Sequence, residues 1–174
     1  VGGNLDRTAI LDNFCWGNPN DPKILGSLVK AAQGCYDGAV MYQTPFISGK
    51  DSLYNEYLDE FGERRAIPGT LLVSSIAIVP DVRKAITMDL KESGNTLYLL
   101  GDWQACLGGS HAVMCSGGRQ KTTDGWINQY FGQQTALGKV PQISNVAPAV
   151  YRKLYDAIQQ GLIRSAHDLS EGGF

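Results

Sequence analysis

The sequence predicts a mixed fold of helices and strands, and three features carry that prediction. A strand-like run near the start gives way to turn residues and then to a long stretch whose apolar residues keep helical spacing. Two later apolar runs, Thr70–Val79 and Thr96–Gly101, are short and bounded by Pro or Gly, as strands are. Glycine is abundant, at 21 of 174 residues, which calls for many tight turns or close backbone approaches of the kind α/β folds use around phosphate.

Thr8–Phe14 reads as the first strand, ending in polar residues. Asn18-Pro-Asn-Asp-Pro22 is turn chemistry that also starts helices. From Lys23 onward, Ile24, Leu28, Ala31, Ala32, Cys35, Ala39 and Val40 keep a helical period to about Met41. Thr44–Ser48 is a second β run, closed by Gly49, and Leu53–Arg65 is polar and reads mostly as loop. Thr70–Val79 is apolar enough to be a strand covered on both faces. Asp81–Ala85 reads as one helical turn, Ile86–Leu90 as a further strand, and Thr96–Gly101, after a loop, as a strongly buried strand. A domain boundary is expected near residues 90–95, giving segments 1–90 and 91–174. Gly117–Gln142 has no clean period and reads as an excursion from the core. Asn145 can cap a helix that tolerates Pro148, carries an apolar stripe at Val150, Leu154, Ala157 and Ile158, and stops at Gly161. Leu162–Ala166 is then a short strand delivering His167 and Asp168.

Composition narrows the function. With 43% hydrophobic and 18% charged residues the chain is not disordered, and its length suits one large domain or two small ones. No apolar stretch approaches the ~20 residues of a membrane helix, and the opening does not read as a secretory signal. A net charge of −2 offers no basic face to a nucleic-acid backbone. Cys15, Cys35, Cys106 and Cys115 show no CxxC spacing and, with two histidines, make no zinc pattern. Each reads as a reduced, buried thiol of a cytoplasmic protein. Val1 in place of Met, and the Gly-Gly-Phe ending, read as the borders of a segment of a longer chain.

Three polar clusters stand at or just after the ends of predicted strands: Asp12-Asn13, and two that join carboxylate, hydroxyl and glycine, Ser48-Gly49-Lys50-Asp51-Ser52 and His167-Asp168-Leu169-Ser170-Glu171-Gly172-Gly173. Mg²⁺ takes hard oxygen ligands, glycine lets backbone N–H groups approach phosphate oxygens, and Lys adds a point charge, so such a set suits a nucleotide with Mg²⁺. The Walker A spacing is absent. Each cluster also has a structural reading. Ser48–Ser52 reads as a polar strand-to-loop turn, Asp12 as a turn cap, and Asp168 or Ser170 as a helix N-cap. Glu56 and Glu171 read as solvated, and no Ser-His-Asp or Cys-His arrangement suggests a hydrolase.

Four stretches stand together in a telling order: Asp12-Asn-Phe-Cys-Trp-Gly-Asn-Pro19, Pro45-Phe-Ile-Ser-Gly-Lys-Asp-Ser-Leu-Tyr-Asn-Glu56, Pro68-Gly-Thr-Leu-Leu72 and His167-Asp-Leu-Ser-Glu-Gly-Gly173. With them the chain resembles the phosphoribosylformylglycinamidine synthase family, the amidotransferases of purine biosynthesis, in the second of their two related halves. The wider superfamily includes aminoimidazole ribonucleotide synthetase, selenophosphate synthetase and thiamine-monophosphate kinase. The resemblance covers nearly the whole chain outside Gly117–Gln142. It implies an α+β fold: residues 1–90 as the C-terminal part of a PurM-like, barrel-forming N-terminal domain, and residues 91–174 as the start of a PurM-like C-terminal α/β domain. It also implies an ATP- and Mg²⁺-dependent ligase reaction that converts formylglycinamide ribonucleotide to the amidine with glutamine-derived ammonia.

Carried onto this sequence, the resemblance makes Asp12 and Gly49 nucleotide contacts and Ser52 a substrate contact. Lys50 stands where short forms of the enzyme carry a metal-binding Asn, and a protonated Lys cannot ligate Mg²⁺, so it implies phosphate neutralisation instead. Asp168 resembles a Mg²⁺ ligand and Ser170 a nucleotide contact of an auxiliary site, whose other ligands would lie upstream of Val1. The partners implied are the ribonucleotide substrate and a glutaminase domain or subunit, with neither nucleic acid nor membrane. The isolated segment is expected to be inactive and to self-associate through apolar strand surface. Two other readings stand beside this one: a small-molecule kinase or selenophosphate synthetase-like enzyme, and a non-catalytic scaffold half with a pseudo nucleotide site.

Overall fold

Asp21, Pro22 and Gln43 together explain where the long helix begins and ends. In the computed structural model, which describes residues 1–102, 104, 106–108, 110–111 and 139–169, helix α1 runs Pro22–Tyr42. The Asp21 carboxylate accepts the Lys23 N–H at 2.8 Å, and Pro22 fills a position that needs no N–H donor. Gln43 closes the helix with a left-handed φ of 53°. The chain divides into two compact units, Val1–Ala85 with Tyr155–Gly161, and Ile86–Leu154 with Leu162–Phe174.

In the first unit, a 3-10 turn at Leu5–Arg7 leads into strand β1, Thr8–Cys15. After α1 comes β2, Phe46–Ser52, which pairs parallel to β1, with α1 as the crossover that a parallel pair needs. The pair β3 (Glu56–Leu58) and β4 (Arg64–Ala66) forms a small hairpin, and β5 (Thr70–Ala77) returns antiparallel to β1. The larger sheet has the order β2-β1-β5.

Trp16, just past β1, gathers this unit. Its ring is buried against Phe14, with centroids 5.7 Å apart, and its indole N–H donates to the Ser27 hydroxyl of α1 at 2.8 Å. A Cβ on Gly69 would lie 2.6 Å from the indole Cε2, so the entry to β5 must be glycine to pass the ring. Gly17 is similarly confined, with Ala66 Cβ 2.6 Å from its would-be Cβ.

Several expectations need correction. The predicted loop Leu53–Arg65 contains all of β3 and the first two residues of β4. The Asp59 carboxylate ties that hairpin by accepting from Arg65 Nε at 2.8 Å, from the Glu63 N–H at 2.9 Å and from the Phe61 N–H at 3.0 Å. These donors, Arg65 foremost, hold its carboxyl below the usual carboxylate range. Glu56, expected to be solvated, is largely covered and lies 3.4 Å from Arg64 Nη1. Strand β5 is not covered on both faces: Leu72 and Ile76 are each 59% exposed. Gly49 does not close β2, which runs on to Ser52, so Gly49–Ser52 lie inside an edge strand. Edge strands accept charged residues and glycine because one side of the backbone has no neighbour to satisfy, and that is why the composition resembles a turn.

In the second unit, helix α2 spans Ala147–Gln159, with its last residues counted in the first unit, and a φ of 73° at Gly161 follows it. Its start leans on Ser144, whose carbonyl accepts from the Ala147 N–H at 3.0 Å and whose hydroxyl donates to Asp102. Ile86–Leu90 and Leu162–Ala166 are not strands; a single parallel bridge joins Thr87 to Ser165. Thr96–Gly101 is neither strand nor buried, with Leu97 77% and Tyr98 80% exposed. A strand exists only by pairing, and no described segment pairs with this run. Asp89 is drawn down to about 2 by Lys91, whose ammonium lies 2.6 Å away, and by the Thr87 hydroxyl. The excursion at Gly117–Gln142 lies almost wholly outside the described residues, and so does Cys115.

Gly69→Ala should lower stability by about 1–3 kcal/mol through overpacking against the Trp16 ring. Ser27→Ala should cost a comparable ~1–3 kcal/mol by leaving the indole N–H unpaired. Chemical denaturation followed by Trp fluorescence measures both; unchanged midpoints would remove Trp16 from its central place.

Candidate functional site

The parallel register of β1 and β2 decides which candidate residues meet. Asp12 pairs with Gly49, Asn13 with Lys50, Phe14 with Asp51 and Cys15 with Ser52. Successive residues of a strand point to opposite faces. One face therefore holds Asp12, Gly49 and Asp51, and the other holds Asn13, Cys15, Lys50 and Ser52.

The face of Asp12 is the one that α1 covers. A cavity of about 480 Å³ lies there, walled by Ile10, Phe46, Leu71 and Val73 of the sheet and by Gly34 and Gly38 of the helix. Cys35 lines it too, and two causes raise that thiol's pKa: first its burial, then the nearby negative charge of Asp12. At Gly49 the space for a side chain is already taken, because a Cβ would lie 2.8 Å from the Asp12 Cγ. Glycine at 49 is thus what lets the Asp12 carboxylate sit across the neighbouring strand. This acceptor surface suits hydroxyl or N–H donors, or a cation, better than a bare phosphate.

Lys50 and Ser52 share the opposite face. Ser52 is held by Asn55, a residue the sequence reading did not single out. The Ser52 hydroxyl lies 3.2 Å from Asn55 Oδ1, and Asn55 Nδ2 reaches the Ser52 carbonyl at 2.6 Å and the Trp16 carbonyl at 3.0 Å. Asn55 follows Tyr54, whose φ of 58° is left-handed, an uncommon state for an aromatic residue. The only sequence cue was that Asn favours side-chain bonds to nearby backbone in turns.

Asp168 belongs to the second unit. His167 Nδ1 lies 3.1 Å from its own neighbour's carboxylate at Asp168, and both side chains are exposed. Ser170 and the Glu171–Gly173 residues of its cluster lie outside the described residues. Among the described residues no group of three or more His, Cys, Asp or Glu side chains converges as a metal site, and Cys15, Cys35 and Cys106 are free and half-buried. Nor, among the described residues, is any helix long and apolar enough to cross a membrane.

No family model matches the chain. Among curated proteins, the phosphoribosylformylglycinamidine synthase subunit PurL of Lactobacillus helveticus (strain DPC 4571) is 33% identical to it over 173 residues, 99% of this chain. The chain is homologous to part of that synthase. It spans 21% of the length of the PurL subunit it matches. Nearly every residue of the β1–β2 cluster and of the segment around Asp168 falls within the aligned stretch, so the synthase relationship extends to both units.

The Asp12–Cys35 proximity is open to direct measurement. With the other cysteines replaced by Ser, alkylation of Cys35 should show a pH midpoint above that of a free thiol. Asp12→Asn should lower the midpoint only part of the way, since burial is the larger cause. A midpoint indifferent to Asp12→Asn would mean that the carboxylate does not face α1.

Proposed function

We propose that this chain supplies nucleotide- and ribonucleotide-contacting residues to an ATP-dependent C–N ligase of the phosphoribosylformylglycinamidine synthase type. The observation that carries the reading is the 33% identity over 99% of the chain. The contact of Asp12 with Gly49 across two strands supports it locally, because two motifs 37 positions apart in sequence become one surface.

In the reaction, the amide oxygen of formylglycinamide ribonucleotide takes the terminal phosphoryl group of ATP, releasing ADP. Ammonia then adds at the activated carbon, and phosphate leaves carrying the former amide oxygen. The protein's share of such chemistry is positioning and charge neutralisation. Asp12 would receive hydrogen bonds from the nucleotide or a water of Mg²⁺, with Gly49 giving it room. Lys50, on the face of Ser52, would neutralise the ribonucleotide's phosphate, and Ser52 would contact the same substrate. Asp168 would be a Mg²⁺ ligand and Ser170 a nucleotide contact of a second site. Residues 1–90 and 91–174 would be the PurM-like N-terminal part and the start of the C-terminal domain, working with a glutaminase partner.

Mg²⁺ usually keeps several waters and one or two carboxylates, so Asp12 or Asp168 alone could hold it only together with substrate oxygens. A second reading is a scaffold half that keeps the fold without turning over substrate; Lys50, which when protonated cannot ligate Mg²⁺, is the residue that favours it.

In the intact synthase, Ser52→Ala should raise the KM for the ribonucleotide more than that for ATP. Gly49→Val should impair ATP use first, by displacing the Asp12 carboxylate. If both variants kept normal kinetics and merely melted earlier, the β2 residues would be structural and the scaffold reading would stand. Apolar Leu72 and Ile76, exposed on the uncovered face of β5, should drive self-association of the chain. Sedimentation at tens of micromolar should show a dimer, and a monomer would argue against barrel pairing.

A further inference from the structure

We infer that Asn55 fixes the Ser52 hydroxyl as a hydrogen-bond acceptor toward the ligand, so that Ser52 recognises an N–H or O–H group and not a phosphate oxygen. The inference deepens the proposed function and rests on Ser52 facing the ribonucleotide.

The argument is a count of protons and lone pairs. The Asn55 side chain has one group facing two backbone carbonyls, those of Trp16 at 3.0 Å and Ser52 at 2.6 Å. Only the NH₂ end can meet two acceptors; reversed, the amide would set an oxygen against two oxygens with no proton between them. Both amide protons are therefore spent. Both carbonyls are also full, because Trp16 O accepts the Asn55 backbone N–H at 3.0 Å and Ser52 O accepts the Trp16 N–H at 2.8 Å.

The other end of the amide is then an oxygen, which only accepts. It faces the Ser52 hydroxyl at 3.2 Å, so the hydroxyl must donate its single proton there. What Ser52 can still offer is its lone pairs. A phosphate dianion brings no proton to such a contact and would meet oxygen with oxygen. Formylglycinamide ribonucleotide offers two kinds of donor, the amide N–H groups and the ribose hydroxyls. Tyr54 keeps the amide in register through its left-handed backbone, with its N–H on the Gly17 carbonyl at 3.1 Å. Asn55 is thus a positioning residue: it acts on the ligand through Ser52.

Two measurements test this. In the chain itself, NMR should show both Asn55 side-chain protons coupled across hydrogen bonds to the Trp16 and Ser52 carbonyls, with a slowly exchanging Ser52 hydroxyl proton close to Asn55 Oδ1. A freely rotating or reversed amide would overturn the proposal. In the intact synthase, binding of the ribonucleotide, its N-methylated amide analogue, its deoxyribose analogue and its dephosphorylated ribonucleoside is compared by calorimetry. Ser52→Ala should weaken the natural ribonucleotide roughly three- to tenfold. That loss should vanish with whichever donor-lacking analogue removes the partner, and it should persist with the ribonucleoside. Asn55→Ala should erase the same discrimination while Asn55→Gln restores part of it. A loss that persists with both donor-lacking analogues and disappears with the ribonucleoside would overturn the proposal. If the intact synthase bound no ribonucleotide, the functional reading would fall, and the NMR result would by itself decide the state of the hydroxyl.

Discussion

The first unit hangs on Trp16 and the backbone around it. Its N–H pairs with Ser52 of β2, its carbonyl takes two bonds from Asn55, its indole reaches Ser27 of α1, and its ring fills the space that Gly69 leaves at the entry to β5. One residue thereby fixes the ends of two strands, the setting of the helix and the path of a third strand. Burial of a large ring with a satisfied polar handle suits such a place, since the apolar body gives packing and the N–H gives direction. The consequence for the site is immediate. Ser52 and Asn55 keep their geometry only as long as Trp16 holds the backbone between them.

A second constraint is steric and acts across strands. Asp12 and Gly49 could not be neighbours if position 49 carried a side chain. From the sequence alone, glycine at this position suggests a phosphate approaching the backbone. The geometry gives another reason: the room is used by a carboxylate of the same protein. The Asp12 carboxylate also adds to the raised pKa of Cys35, second to the partial burial of that thiol on the side of α1 that faces the sheet.

Much of the first unit was legible in the sequence because its signals are local. Asp21-Pro22 announces α1, the small and apolar spacing carries the helix to about Met41, one residue short of its end at Tyr42, and β1 and β5 read as strands. What escaped was whatever depends on a partner. Gly49-Lys50-Asp51-Ser52 looked like a turn because an edge strand tolerates turn-like residues. The β3–β4 hairpin looked like loop because its three-residue strands are held by Asp59 and Arg65 and carry no apolar alternation. Thr96–Gly101 had the composition of a buried strand and no neighbour among the described residues to make it one. At the site, the chemical types of Asp12, Gly49, Lys50 and Ser52 were readable, whereas their division between two faces needed the register. Asn55 needed the backbone turn at Tyr54 and could not have been found from spacing.

That division separates tasks that the motif alone had merged. Gly49, Lys50 and Ser52 are close in sequence, yet alternation sends Lys50 and Ser52 away from the Asp12 carboxylate. With Lys50 on one face and the Asp12 carboxylate on the other, each would be available to a different part of a ligand. Under the proposed function, a single edge strand would then address two ligands, its even-numbered side chains facing one and its odd-numbered positions the other. The price of this economy is that a one-residue slip in register would exchange the two faces entirely. The Trp16 N–H to Ser52 carbonyl bond and the Asn55 amide, at the end of β2, stand where such a slip would have to begin, and they hold it in place.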